Sequence, residues 1–169
     1  MAAGSGNDAT IFIDANIFLN TIFGSGKEAA SCTRFLEEAD AGIFPTATSV
    51  IVLNEVLHRL IIASVVSSSG VAPESAVHQI KLHPELIHEV RAVWEIMDDI
   101  QSVRQMKVYG ISPATYGRSL VLMREWGLLG NDALHLACME EHSISTIATY
   151  DRDFSRISGV KIQRPAYPD

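Results

Sequence analysis

The sequence predicts an α/β fold, a parallel sheet with helices on both faces. Three observations carry this. Apolar runs such as Ile11-Phe12-Ile13 and Ile147-Ala148-Thr149 are brief, and they read as short buried strands. They alternate with stretches of helical period, the pattern of a parallel sheet covered on both sides. Both runs lead into acid: Asp14 closes the first and Asp151 follows the second. Groups just past the carboxyl ends of parallel strands face one crevice.

Thr10–Asp14 reads as the first strand. Asn16–Phe23 is a short helix, broken by Gly24-Ser25-Gly26, and Lys27–Ala39 is an amphipathic helix. Gly42 ends that segment, and Ile43–Thr46 is the second strand. Pro45 confines it to an edge or terminal position. Thr48 or Ser49 caps the next helix, which runs to about Val66 before Ser67-Ser68-Ser69-Gly70. Ala72–Leu82 and Pro84–Ile100 are two more helices, each with a proline near its start. No linker marks this middle region off, so it is expected to be a helical arm and not a second domain. Lys107–Ile111 is a short extended piece. Ser112-Pro113 starts a helix that reaches Trp126. Gly127 and Gly130 bracket a turn, and Asn131 caps a helix from Asp132 to about Glu141. Thr146–Thr149 and Val160–Ile162 are the remaining strands. One domain over residues 10–164 is expected, with a flexible lead over 1–9 and a tail over 165–169.

Composition sets bounds on function. With 169 residues the chain holds one sizeable core, and 47% apolar with 20% charged residues suits a soluble globular protein. No window approaches 18 uninterrupted apolar residues, so no membrane span is expected. The Ala/Gly/Ser-rich start lacks the features of a signal or transit peptide, and a cytoplasmic location is expected. Cys32 and Cys138 are expected to be buried thiols. A net charge of −7 argues against the broad nucleic-acid affinity of a basic surface. It leaves room for a nuclease whose acids hold a cation, with binding kept local or positive charge supplied by a partner.

Four acidic positions stand out, and each has a plain structural reading beside the functional one. Asp14 caps the following turn or faces the crevice, and Asn16 holds that turn or reaches a metal-bound water. Glu55 lies in the apolar stretch Val50–Leu57, so it needs a cation: Arg59 or His58 one helical turn on, or a metal. Asp132 opens a helix, where the dipole favours acids and a phosphate can also dock. Asp151 and Asp153 have both a turn composition and a metal-site spacing, and Thr149 can donate its hydroxyl to either carboxylate. Oxygen-only ligands at this density suit Mg²⁺ or Mn²⁺, and the first expectation is a site that works on phosphodiesters.

His135, Cys138 and His142 share one helix, a poor geometry for tetrahedral zinc. His58, His78, His83 and His88 read as surface residues. There is no G-x-G-x-x-G or Walker A loop and no nucleophile elbow.

Four ordered segments resemble the motifs of the PIN domain family: Ile11–Leu19, Ser49–Leu57 with Asn54-Glu55-Val56-Leu57, Asn131–Ala137, and Thr149–Phe154. The size and strand-first layout are similar to the VapC-type toxins of prokaryotic toxin–antitoxin pairs. The resemblance implies a compact three-layer α/β/α sandwich and Mg²⁺- or Mn²⁺-dependent endoribonuclease activity on single-stranded RNA. It puts Asp14, Glu55, Asp132 and Asp151 in the family's acidic quartet, with Asp153 as an additional acid. It puts Asn16, Ser49 and Thr149 in supporting polar positions. In the mechanism it implies, metal-activated water attacks phosphorus and leaves 5′-phosphate and 3′-hydroxyl ends. Arg59 and Arg152 are candidate phosphate contacts, with a plain surface role as the alternative. The resemblance also implies an antitoxin that covers the site, for which a basic tail is expected. A homodimer is expected through the apolar face of Val52, Val56, Leu60 and Ala63, unless those residues simply meet the sheet. A stand-alone role in RNA processing, a structure-specific DNA nuclease and a non-catalytic RNA- or partner-binding scaffold are the alternatives.

Overall fold

The computed structural model describes residues 9–166. Residues 1–8 and 167–169, which hold most of the expected lead and the end of the expected tail, lie outside them. The elements, in chain order, are β1 (Ile11–Ile13), α1 (Ala15–Phe23), α2 (Gly26–Asp40), β2 (Thr46–Ser49), α3 (Val50–Ser69) and α4 (Pro73–Leu82). Then come α5 (Leu86–Glu89), α6 (Arg91–Ser102), β3 (Met106–Tyr109), α7 (Pro113–Trp126) and α8 (Gly130–Glu141). Last are β4 (Thr146–Ala148), a 3₁₀ turn (Asp153–Arg156) and β5 (Lys161–Gln163). The chain divides into two compact units. One takes both ends of the chain, up to Leu53 and from Arg104 onward, and carries the whole sheet. The other is Asn54–Val103, which includes the stretch Ala72–Ile100 expected as a helical arm.

The sheet is fully parallel, in the order β3-β2-β1-β4-β5. From β1 the chain steps to β2 and β3 on one side, then returns to β4 and β5 on the other. Right-handed crossovers therefore place α1 and α2 on one face of the sheet and α7 and α8 on the opposite one. All three β1 residues are buried, as a strand covered on both faces requires. Phe12 meets His135 of α8 with ring centroids 5.8 Å apart, which fixes the face that α8 covers. The direction of strand succession reverses between β1 and β4, so the two chains leaving these strands diverge and open a crevice at their carboxyl ends.

Boundaries differ from expectation by one to three residues at several elements, among them α3, which runs to Ser69, and β3 at Met106–Tyr109, and three departures have a physical reason. The second strand is Thr46–Ser49, not Ile43–Thr46. Pro45 has no N–H and precedes the strand, while its carbonyl accepts from Ile11 N at 3.0 Å. The polar Thr46-Ala47-Thr48-Ser49 run is buried, and two of its three hydroxyls are satisfied: Thr48 donates to the Ile13 carbonyl at 3.0 Å, and Ser49 Oγ accepts from Val52 N at 3.3 Å, capping α3, while the Thr46 hydroxyl has no partner among the described residues. Apolarity alone pointed to Ile43-Phe44, which precede the strand, with Ile43 exposed. The second difference is that the stretch expected as Pro84–Ile100 splits at Val90, whose φ −83 and ψ 49 leave the helical region. Its side chain is buried there, so packing overrides helical continuity. The third is that α8 is capped by Leu129, and Asn131 lies inside its first turn. Ser112 behaves as expected: its hydroxyl accepts from Thr115 N at 3.0 Å in a capping box for α7.

Among the described residues α3 alone has the length and apolar composition of a membrane-spanning helix. Of its residues, Val52, Val56, Leu60 and Val65, spaced about one turn apart, are almost completely buried within the protein. The same burial corrects the expected dimer face: Val52, Val56 and Leu60 are core residues and not available to a second copy, which leaves only the half-buried Ala63 of that face.

Candidate metal centre

Asp14 follows β1 directly and caps α1. Its Oδ1 accepts from Ala15 N at 2.7 Å. Its Oδ2 accepts from Asn16 Nδ2 at 2.5 Å and from the Thr149 hydroxyl at 2.6 Å. Asp14 is only 7% exposed as a residue, and its carboxylate is held by hydrogen bonds from both adjoining strand ends. Thr149 follows β4 and is fully buried. Its Oγ1 also accepts from Asn16 Nδ2 at 2.7 Å and from Asp151 N at 2.9 Å. The hydroxyl thus serves Asp14 and not Asp151 or Asp153, the recipients expected from sequence. Asn16 completes the link, its Oδ1 accepting from Tyr150 N at 3.2 Å.

Asp151 Oδ1 accepts from Asp153 N at 2.8 Å, folding the chain into the 3₁₀ turn. That turn and the first turn of α8 bring three acids together. Asp132, Asp151 and Asp153 each offer an oxygen within 4.8 Å of the other two, and all three are half-buried. Asp14 and Glu55 are outside this trio. Asp14 is tied to it through Thr149, whereas Glu55 is a half-buried residue of α3 in the other unit. Arg59 is exposed on α3, and Arg152 is exposed just before the 3₁₀ turn. Ser49 caps α3, as described above.

Sequence reasoning missed Arg156. Its guanidinium donates to Asp153 Oδ1 at 2.9 Å and to the Trp126 and Gly127 carbonyls at 3.0 and 3.1 Å. The i,i+3 spacing from Asp153 was readable, but its meaning depends on the 3₁₀ turn, which was not.

The donor set fits a hard divalent cation. Three carboxylates with no nitrogen or sulfur among them suit Mg²⁺ or Mn²⁺. At an effective dielectric of about 20, two unit charges about 5 Å apart repel by about 3 kcal/mol, so such a trio favours a counter-ion. The zinc alternative has no support among the described residues. Burial pushes the Cys138 thiol up to about 11, with Glu141 adding to the rise, and His142 stacks on Tyr109.

His135 lies behind the crevice, 1% exposed, with its Nε2 3.9 Å from Asp14 Oδ1. Burial pushes its imidazole down to about 4. It is therefore neutral at pH 7, and this approach is not an ion pair there. An unfolded imidazole takes up its proton near pH 6.5, before the folded one does. The stability tied to neutral His135 is thus complete above pH 6.5 and is lost as pH falls toward 4. Between pH 7.5 and 4.5 the wild type should lose about 2 to 3 kcal/mol more than His135→Leu. Urea unfolding of both proteins at the two pH values reads the difference, and equal losses would contradict it.

The PIN domain family matches residues 11–160. The chain belongs to the PIN domain family. Among curated relatives of this PIN-domain protein are the VapC ribonuclease Mb1869c of Mycobacterium bovis and ribonuclease VapC13 of Mycobacterium tuberculosis. Each is 25% identical over 151 residues, covering 89% of this chain and 97% of the relative. Solved structures with the same fold include a toxin–antitoxin complex from Klebsiella pneumoniae, at TM-score 0.55 and 20% identity over 94% of this chain and 99% of that one. Another is VapBC2 from Rickettsia felis bound to a DNA fragment from their promoter, at TM-score 0.57 and 18% identity over 92% and 98%. The PIN-domain protein is thus similar to VapC-family toxin ribonucleases along most of its length.

Proposed function

We propose that this PIN-domain protein is a Mg²⁺- or Mn²⁺-dependent endoribonuclease that hydrolyses single-stranded RNA and acts as the toxin of a toxin–antitoxin pair. The observation that carries the reading is the convergence of Asp132, Asp151 and Asp153 at the carboxyl ends of β1 and β4 in a chain of this family. These acids hold the cation, with Asp14 and Glu55 completing the family's set. A cation held there would lower the pKa of a coordinated water and neutralise phosphoryl oxygens as charge builds. Thr149 and Asn16 fix the Asp14 carboxylate and lock the strand end that delivers Asp151. Glu55 orients the attacking water, and Arg152 and Arg59 contact substrate phosphate. Cleavage leaves 5′-phosphate and 3′-hydroxyl ends.

The partner reading rests on charge. An acidic crevice in a chain of net charge −7 suits a basic antitoxin segment. An arginine from it would pair with the carboxylates and block cation and substrate together.

Labelled single-stranded RNA and DNA, incubated side by side with Mg²⁺, Mn²⁺ or EDTA, test the activity. Cleavage of RNA that EDTA abolishes is expected. Preferential cleavage of DNA would replace this reading with a DNA nuclease. Cation binding without cleavage of either would point to a scaffold.

A further inference from the structure

We infer that Arg156 is a positioning residue that sets the spacing between the two chain segments delivering the acidic trio. The inference rests on the metal-site reading above for its consequence, but its structural content stands independently.

The trio comes from two places. Asp151 and Asp153 lie on the segment after β4, and Asp132 lies in the first turn of α8. These segments are distant in sequence, and three carboxylates placed together repel. Something must hold the two segments at a fixed separation before any cation arrives. Arg156 has the geometry to do so. One edge of its guanidinium binds Asp153, and its other N–H groups bind the Trp126 and Gly127 carbonyls. Those carbonyls belong to the end of α7, where the chain turns at Gly127 (φ 65) toward α8 and Asp132. A single planar group therefore spans both segments, and its three acceptors lie in two separate directions. Asp151 Oδ1 and Asp153 N close the remaining link on the β4 side.

The pairing does not exhaust Asp153. A carboxylate has two oxygens, and Arg156 takes Oδ1. A ligand oriented by a partner on one oxygen can still face a cation with the other. Lysine would not substitute, because one ammonium lacks the flat fork that meets a carboxylate and two carbonyls together.

Charge and positioning make opposite predictions. If Arg156 acted only through its charge, removing it would relieve repulsion on an incoming cation and tighten binding. If it positions, removing it loosens the site and weakens binding. The test measures Mn²⁺ affinity by electron paramagnetic resonance in wild type, Arg156→Ala and Arg156→Lys. Hydrogen–deuterium exchange of the metal-free proteins is followed in parallel. Positioning predicts about 10-fold weaker Mn²⁺ binding in Arg156→Ala. Arg156→Lys should fail to restore it. Exchange should rise in Leu128–Asn131 and Arg152–Ser155 while the β1 amides stay protected. Unchanged or tighter Mn²⁺ binding in Arg156→Ala, full rescue by lysine, or unaltered local exchange would each overturn the inference. A wild type that binds no Mn²⁺ would instead reject the metal-site reading, and the exchange measurement would still decide whether Arg156 links the two segments.

Discussion

Asp132→Asn is expected to cut metal-dependent cleavage of single-stranded RNA by more than about 100-fold. That figure is the upper range for a group one step removed from a metal, and Asp132 is proposed as a direct ligand. The change preserves shape and removes one charge from a trio whose oxygens lie within 4.8 Å of one another. Two effects on stability oppose each other. Loss of a first-turn acid weakens the dipole interaction by about 0.3 to 1 kcal/mol, and relief of repulsion offsets it. The melting temperature of the metal-free protein should therefore stay within a few degrees of wild type. Initial rates at saturating Mg²⁺ and a thermal melt check both parts. Activity within 10-fold of wild type in a folded Asp132→Asn protein would contradict the proposed role. Asp14→Asn is a poorer probe. Asp14 accepts from three donors, and an amide would turn an N–H toward at least one of them, so lost activity would be mixed with lost stability.

Thr149→Val should cost about 3 kcal/mol and disable the site, whereas Thr149→Ser should be close to wild type. The Thr149 hydroxyl makes three hydrogen bonds at a fully buried position, one of them to the Asp14 carboxylate. Valine keeps the shape and leaves the Asp14 carboxylate and the Asp151 N–H each short of a partner. Bonds to charged groups contribute about 1.5 to 3 kcal/mol, and a stranded buried group adds to the loss. Serine retains the oxygen and loses only a methyl. Urea midpoints for the three proteins, with RNA cleavage alongside, separate the cases. A valine variant as stable as wild type would show that this hydroxyl does not hold the two strand ends together.

The β1 end and the start of α7 were legible because they follow local rules. A short apolar strand ending in Asp14, and the Ser112-Pro113 start of α7, can be read without knowing what lies opposite. What could not be read depends on partners distant in sequence. Thr46–Ser49 looks too polar for a central strand until the Ile13 carbonyl is seen to receive Thr48. Thr149 had two nearby acids to serve, Asp151 and Asp153, and only the meeting of β1 and β4 shows that it donates to Asp14. Arg156 reads as one surface cation among several until the end of α7 is brought beside it. The apolar stripe of α3 is equally compatible with a core and with a dimer face, and only burial decides for the core.

The most direct test of the central claim is a crystal of the protein soaked in Mn²⁺, with anomalous scattering used to locate the ion. The account predicts a peak about 2.0 to 2.2 Å from carboxylate oxygens of Asp132, Asp151 and Asp153, at the carboxyl ends of β1 and β4. A fully loaded crystal with no peak there, or with its strongest peak elsewhere on the protein, would contradict it.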